Sequence, residues 1–238
     1  MDVIHENIQN LTSLWRCAAS PFNGVVEGEG YGLARIPDTE WPNKAWIEDS
    51  YPLASRALTE IRTQMDPDMT FVVFGKPSAA LSANLEQMDL RLKSQLTAMS
   101  IEPRKVPIRV SNVVIREVKT PEDIKWWSRV FASAFGYSIV EAVLASTLKK
   151  VNYFLIEDGG IPVGTLALYQ TGGVTGVHSM GISPKARGRG LATQVMYHAL
   201  ESARSYRSSL VTLQASEMGR GLYEKLGFRQ DFILNNYN

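Results

Sequence analysis

Thiol and imidazole side chains are scarce in this 238-residue chain, which has one cysteine, Cys17, and three histidines. A single thiol excludes an internal disulfide framework and a multi-cysteine zinc site, and it is what a reducing compartment permits. Cys17 reads as buried packing rather than as a nucleophile. Net charge is nearly as sparse: 25 Lys plus Arg against 24 Asp plus Glu leave +1. There is no global field to recruit nucleic acid or an anionic membrane, so any basic site must be local. The start, Met1-Asp2-Val3-Ile4-His5-Glu6, lacks the basic residues and apolar run of a secretory signal, and no window approaches the roughly 20 apolar residues of a membrane span. These absences predict a cytoplasmic protein with no nucleic-acid, membrane or metal partner.

What is present falls into two stretches. Glu102-Pro103-Arg104-Lys105-Val106-Pro107 combines charge with two helix-interrupting prolines, and it sets an expected boundary between an α/β domain at 1–104 and a second domain at 105–238. In the first, a helix around Ile8, Leu11, Leu14 and Trp15 precedes a hairpin over 25–34, a helix near 53–65 and a short strand at Phe71–Phe74. Leu81, Leu85, Met88, Leu92 and Leu96, spaced by three and four, predict one long helix. Trp41-Pro42-Asn43 and Trp46 read as a loop. In the second, a strand at 113–118 leads to Thr120-Pro121-Glu122-Asp123, an N-cap with a first-turn proline and first-turn acids. Helices over 124–135 and 139–150 follow, then strands at 153–157, 163–169 and 176–182. A helix from Leu191, a strand at 210–213, a helix at 217–226 and a last strand at 228–234 complete the order.

The stretch richest in chemistry is Arg187-Gly188-Arg189-Gly190-Leu191-Ala192, set between an apolar extended run and an amphipathic helix. Glycines let a backbone approach a ligand closely, and the unpaired amides of a helix start, aligned with its dipole, favour anions. Two arginines add forked donors suited to a pyrophosphate. A dinucleotide fingerprint does not fit, because Ser183-Pro184-Lys185-Ala186-Arg187 separates strand from first glycine and Ser208 and Ser209 stand where the acidic residue belongs. A Walker loop is excluded by the missing Gly-Lys-Ser/Thr.

Three pieces then resemble the GNAT superfamily of acetyl-CoA-dependent acyltransferases over about residues 110–238: Met180-Gly181-Ile182, the Arg187 loop, and Leu222-Tyr223-Glu224-Lys225-Leu226-Gly227-Phe228. The family's loop pattern is met by Arg187, Gly190 and Ala192. The resemblance implies an α/β (α+β) fold with a mixed, mostly antiparallel sheet flanked by helices, and some relatives carry a degenerate second copy ahead of the active one. It implies that the amides of Arg187, Gly188, Arg189, Gly190, Leu191, Ala192 and Thr193 hold the coenzyme A pyrophosphate, while Met180, Gly181 and Ile182 pair with the pantetheine arm. Tyr223 would protonate the leaving thiolate. Ser216 stands where the family often has asparagine, and Gly219 where alanine is common; both are expected beside the cofactor.

A base must remove a proton from the acceptor. His178, four residues before Ile182 on the strand lining the cleft, is the first candidate, and its alternative is a cleft-wall histidine bonded to backbone. Glu141, Glu157 and Asp158 are weaker candidates. Ile124, Trp127 and Phe131 share a core face, which leaves Trp126 and Tyr137 free to meet substrate. The resulting expectation is an N-acetyltransferase moving an acetyl group from acetyl-CoA to a primary amine of a small molecule or peptide by direct attack, as a monomer or homodimer. A non-catalytic acyl-CoA-binding module is the other reading.

Overall fold

The computed structural model describes residues 2–47, 55–105 and 113–238. Asp2 caps the first helix, α1 (Val3–Ala19), by accepting from the amides of Ile4 (3.1 Å) and His5 (3.3 Å). The hairpin β1 (Val25–Gly28) and β2 (Tyr31–Ala34) follows, then β3 (Lys44–Ile47), α2 (Ser55–Gln64), β4 (Thr70–Phe74), α3 (Ala79–Gln87) and β5 (Leu92–Ile101). Next come β6 (Val114–Glu117), α4 (Pro121–Phe135), α5 (Glu141–Thr147), β7 (Val151–Asp158), β8 (Ile161–Thr171) and β9 (Val174–Ile182). The chain closes through α6 (Leu191–Ser205), β10 (Leu210–Ala215), α7 (Glu217–Lys225) and β11 (Arg229–Tyr237).

These strands form one 11-stranded sheet in the order β1-β2-β3-β4-β11-β5-β10-β9-β8-β7-β6. Among the described residues β3/β4 and β9/β10 run parallel, and the other neighbours are antiparallel. One topology occurs twice. The succession β1-β2-β3-α2-β4-α3-β5 has the same order and pairing senses as β7-β8-β9-α6-β10-α7-β11, each with its parallel pair flanking the first helix. Even the serine caps repeat: Ser78 accepts from Leu81 N at the head of α3, and Ser216 from Gly219 N at the head of α7. The last strand of each succession is exchanged, so β5 lies against β10 and β11 against β4. The expected division at 104/105 therefore separates segments of chain within a sheet that runs continuously across it.

The two faces are covered differently. On one, α1, α4 and α5 pack on alternate residues of the sheet, with Trp15, Trp46, Trp127, Phe131 and Leu155 in a common core. On the other, α6 and α7 cover Met99, Leu166, Val177 and Leu213, while α2 and α3 cover Leu33, Phe71 and Val73. Cys17 is buried in the first core, and burial pushes its thiol up.

Two expectations need correction. The long helix through Leu96 is two elements, because α3 stops at Gln87 and Asp89 turns left-handed with φ +56°. Leu92 and Leu96 belong to β5, where pairing with both β10 and β11 overrides a spacing that also suits a helix. Trp46 is not in a loop: it lies in β3, 1% exposed, with its ring 5.4 Å from that of Trp15. The helix expected near 53–65 is α2; Leu53 and Ala54 lie outside the described residues.

The predicted start of α4 is a capping box. Thr120 Oγ1 accepts from Asp123 N (3.2 Å), and the Asp123 carboxylate accepts from the amides of Lys119 (3.0 Å) and Thr120 (2.9 Å) and pairs with Arg116. Burial alone would raise the Asp123 carboxyl; Arg116 and the two amides outweigh it and hold it well below the usual carboxylate range. Its stabilisation is thus complete above the ordinary Asp pKa and is lost as pH falls toward the depressed value. Thr120→Ala is expected to cost about 1 kcal/mol, or roughly 2–4 °C in melting temperature at neutral pH; an unshifted melt would show that the box does not hold α4.

Candidate active site

The parallel strands β9 and β10 share register only at Val174↔Leu210, Thr175↔Val211 and Gly176↔Thr212. Both continue further, β9 to Ile182 and β10 to Ala215, so the sheet forks beyond Gly176. A bulge accompanies the fork: the β8/β9 register slips between Thr165 and Ala167, Ser179 takes φ +52°, and Thr165 Oγ1 donates to Ser179 O at 2.8 Å. A bulge bends its strand and increases local twist. Past it, Gly181 and Ile182 pair with β8 on one side, while the edge once shared with β10 presents unpaired backbone.

Beyond Ile182 the chain makes a short turn, and Gly188 and Gly190 adopt φ +77° and +74°. Space is not what demands glycine there, since nothing lies within 4 Å of a Cβ built on either; the left-handed backbone does. Arg187 N reaches Pro184 O, and the first amide bonded at the head of α6 is that of Gln194, to Gly190 O at 3.4 Å. The amides from Gly188 through Thr193 make no hydrogen bond to a described residue. They form a run of donors at the positive end of a 15-residue helix.

The arginine side chains are placed otherwise than expected. Arg187 Nε donates to Ile182 O (2.9 Å) and Nη2 to Ala134 O (3.0 Å), strapping the loop to the end of β9 and to α4. The Arg189 guanidinium pairs with Asp158 on the β7–β8 turn, Nη2 standing 3.1 Å from Oδ1. Both guanidinium groups are committed to protein, so anion affinity in this loop rests first on its amides.

Across the fork, Tyr223 sits on α7 with 7% exposure, its ring 5.8 Å from that of Phe228. Burial pushes the phenol far up, so it keeps its proton throughout the neutral range. Its hydroxyl donates to no described residue and is not among the sealed, unpartnered polar atoms. Ser216 heads the same helix as its N-cap, with its hydroxyl oxygen on Gly219 N at 3.2 Å. Gly219 in turn lies beside the Tyr223 ring.

The opposite face of the fork is covered by α1. Gly176 admits Asn10 so closely that a Cβ there would stand 1.8 Å from its Oδ1. Asn10 Nδ2 donates to Tyr169 O (3.1 Å) and Thr171 Oγ1 (2.8 Å). Its Oδ1 therefore faces His178 Nε2 as acceptor, at 2.9 Å, and the proton lies on Nε2. His178 was expected on an open cleft wall; it is 8% exposed, and burial pushes it down to about 4. A ring that stays neutral to such low pH is a weak acceptor for the proton of an ammonium, and its geometry is that of a clamp joining β9 to α1. One turn earlier, Asn7 Oδ1 accepts from Gln214 Nε2 (2.7 Å), and its Nδ2 donates to Asp231 Oδ2 (2.8 Å). Residue spacing gave no sign of Asn7, Asn10 or Asp231, because their partners lie 92 to 224 positions away.

At the C-terminal end of α4, Phe131 stacks on Trp127 (5.2 Å) and on Phe135 (4.5 Å), and Tyr137 meets Phe131 edge-on. Trp127 and Phe131 are core as predicted, whereas Trp126 and Tyr137 are 39% and 37% exposed. Glu40, beside Trp41, accepts from Ser138 N (2.7 Å) and Ser138 Oγ (2.6 Å), so the first half does reach the α4–α5 connection. Of the weaker candidates, Glu157 pairs with Arg116 at 2.8 Å, Asp158 with Arg189, and Glu141 opens α5. Among the described residues no three His, Cys, Asp or Glu side chains group as a metal site, and no helix is long and apolar enough to cross a membrane.

Residues 121–228, from the head of α4 through the loop and α7, match the family model of the acetyltransferase (GNAT) family. This stretch is a GNAT acetyltransferase domain. No curated protein is a significant sequence match to the chain. Solved structures share its fold along nearly its whole length. A GCN5-related N-acetyltransferase from Kribbella flavida is 18% identical, with a TM-score of 0.69 and coverage of 94% of each chain. A GNAT-family structure from Novosphingobium aromaticivorans is 12% identical, with a TM-score of 0.65, covering 97% of this chain and 96% of that one. A conserved protein of unknown function from Staphylococcus epidermidis is 15% identical, with a TM-score of 0.66, covering 89% and 91%. The first half, which the family model does not reach, is thus part of the shared fold.

The clamp has a pH signature. A histidine whose folded pKa lies below its unfolded value costs stability as pH falls through the unfolded value near 6.5, and the penalty saturates near the folded value of about 4. The wild type should therefore lose stability over that window relative to His178→Gln, by on the order of 3 kcal/mol if the whole shift is realised. Parallel stability–pH curves for the two proteins would show that His178 is not buried as described.

Proposed function

We propose that the protein is an N-acetyltransferase that takes acetyl-CoA and a primary amine, the amine attacking the thioester directly. The observation that carries this reading is the run of amides from Gly188 to Thr193 without a described partner, opening beside a fork where Met180–Ile182 is not paired with β10 and only the Ile182 carbonyl is met, by Arg187. The amides and the α6 dipole suit a pyrophosphate, and the open edge of β9 suits the amide-bearing pantetheine arm as an added strand. Arg187 keeps the two in register by bonding Ile182 O. Ser216 retains a hydroxyl hydrogen to donate while its oxygen caps α7.

The chemistry follows from placement. Two reactants held on the two faces of the fork react as one encounter complex, which supplies much of the acceleration. As the C–N bond forms and the C–S bond breaks, the departing sulfur takes the phenolic proton of Tyr223, which burial has kept in place. Backbone amides on the bulged part of β9 are the donors nearest the developing oxyanion. His178 acts in this scheme by holding α1 on the fork.

Two variants test the reading. Acetyl-CoA at about 100 times its dissociation constant should stabilise the wild type by about 2.7 kcal/mol, visible as a melting shift. Gly190→Glu adds a charge and a Cβ at φ +74° and is expected to abolish that shift; an equal shift in the variant refutes the loop as the pyrophosphate site. Tyr223→Phe should keep the shift but lower free-thiol release in the presence of an amine by about 10²-fold or more. An unchanged rate removes Tyr223 as the acid. Binding without thiol release from any amine, in the wild type itself, would make the protein a binding module.

A further inference from the structure

We propose that Asp231 is the carboxylate that binds the ammonium of the acceptor amine on the α1 side of the fork and takes its first proton. This rests on the acetyltransferase reading and adds the group that reading lacks, since His178 is sealed and held neutral.

Asp231 lies in a bulge. The register of β11 against β5 passes from Gln230↔Met99 directly to Phe232↔Ala98, which leaves Asp231 without a partner residue. A bulge re-aims a side chain, and this one turns toward α1. Oδ2 accepts from Asn7 Nδ2 at 2.8 Å, and Oδ1 from Ser100 Oγ at 2.8 Å. A carboxylate offers about four lone-pair directions, so two remain for a substrate. The residue is only partly buried, which leaves them reachable.

The group is tied to the fork by a continuous chain of hydrogen bonds. Gln214 lies two residues beyond Thr212, the last residue of β10 paired with β9. Its Nε2 donates to Asn7 Oδ1 at 2.7 Å, and the same amide then donates to Asp231. The Gln214 oxygen takes no hydrogen bond from a described residue, so it is a second acceptor for an N–H on this path. At the crotch itself Thr212 Oγ1 is buried without a partner. The polar seam thus runs from the last shared register of β9 and β10 out to Asp231.

Structural duty alone does not call for a carboxylate here. A neutral amide could accept from Asn7 through its oxygen and donate to the Ser100 hydroxyl through its nitrogen, and an ion in a half-buried site is unfavourable unless a cation joins it. No cation does. What faces Asp231 is Asn7 from α1, Ser100 from β5 and, through Asn7, Gln214 from β10; no charged group contributes to its titration. Burial pushes the carboxyl up, and the two donors pull it only partly back. A primary ammonium is the missing partner. In the step assigned, R–NH3+ gives one proton to the Asp231 carboxylate, leaving the nitrogen lone pair free to form the C–N bond; the nitrogen then sheds a second proton to water, which balances the proton Tyr223 gives the thiolate and takes back from solvent, and the carboxyl returns the first proton to solvent after the acetylated product departs.

The test uses the whole protein with acetyl-CoA and a panel of alkylamines, arylalkylamines, diamines and a dipeptide with a free N-terminus, following free thiol. Asp231→Asn, whose oxygen can keep the Asn7 contact while its Nδ2 donates to Ser100 Oγ, should retain the melting shift with acetyl-CoA. Its KM for the amine should rise at least about tenfold and its kcat/KM fall about 10²-fold or more. The acidic limb of the wild-type kcat/KM profile should vanish in that variant. Ser100→Ala removes one donor that favours the charged form, so it should move the acidic limb to higher pH. Unchanged kcat/KM and an unchanged limb in Asp231→Asn overturn the assignment while leaving the acetyltransferase reading intact. If that variant does not fold, an unmoved limb in Ser100→Ala overturns it alone. If the wild type neither shifts with acetyl-CoA nor releases thiol with any amine, the reading of the protein fails first and the role of Asp231 goes with it.

Discussion

Beyond Gly176 and Thr212, two neighbouring parallel strands stop sharing hydrogen bonds inside an otherwise continuous sheet. Buried backbone donors and acceptors left unpaired are expensive, so such a fork persists only where the surroundings hold the strands apart and something else meets their edges. Here the restraints are local and strong. The bulge at Ser179 bends β9 away, Thr165 pins the bulged carbonyl, and Arg187 ties the far end of β9 to α4. On the other side β10 is held by β5 along Thr97–Ile101. The fork is therefore preorganised before any ligand enters, and the edge it exposes is what the proposed reading assigns to an extended, amide-bearing molecule.

The partner that fixes β10 comes from the other half of the chain. β5 ends the first succession of strands and helices, yet it lies between β10 and β11 of the second, and β11 closes the first by pairing with β4. Exchange of the last strands makes each half incomplete alone. It also explains how α1, at the start of the sequence, lies across the working fork. Asn7 and Asn10 are both fully buried, and a buried amide is tolerated only when its donors and acceptors are met. They are met by β8, β9, β10, β5 and β11, so α1 acts as a staple whose specificity lies in polar pairing laid over an apolar base of Ile8, Leu11 and Trp15.

Sequence reading located the parts of this arrangement that are local in the chain. Gly188 and Gly190 mark the loop before α6, though by room for a ligand rather than by their left-handed backbone, Thr120-Pro121 marks the start of α4, and the segment from Leu222 to Phe228 marks the end of α7. The parts that escaped are those whose meaning depends on distant partners. Leu92 and Leu96 satisfy a helical spacing and become a strand because two edges were waiting for one. Asn7 and Asn10 fall outside the apolar spacing of Ile8, Leu11, Leu14 and Trp15, yet α1 has its polar contacts on a face that is also buried. Asp231 carries no local mark, since the bulge that turns it exists only through the register of β11 on β5. Arg187 and Arg189 were located correctly, but their guanidinium groups answer to Ile182, Ala134 and Asp158, residues that no motif pattern connects to them.

The two mouths of the fork differ in charge, and on the proposed reading this difference orders the reactants. On the α6 side stand amide donors, a helix dipole and a basic loop, an environment that selects an anion. On the α1 side the seam is neutral except for one carboxylate, which selects a cation. On the proposed reading a phosphate-bearing donor and an ammonium acceptor approach from opposite faces and meet where β9 and β10 last touch. Desolvation works in the same direction. Burial keeps the Tyr223 phenol protonated and pushes the Asp231 carboxyl up, which on that reading puts the acid on the face of the leaving thiolate and the base on the face of the amine. That polarity follows from which face each helix covers, and hence from the position of α1 over a fork that the second half of the chain builds.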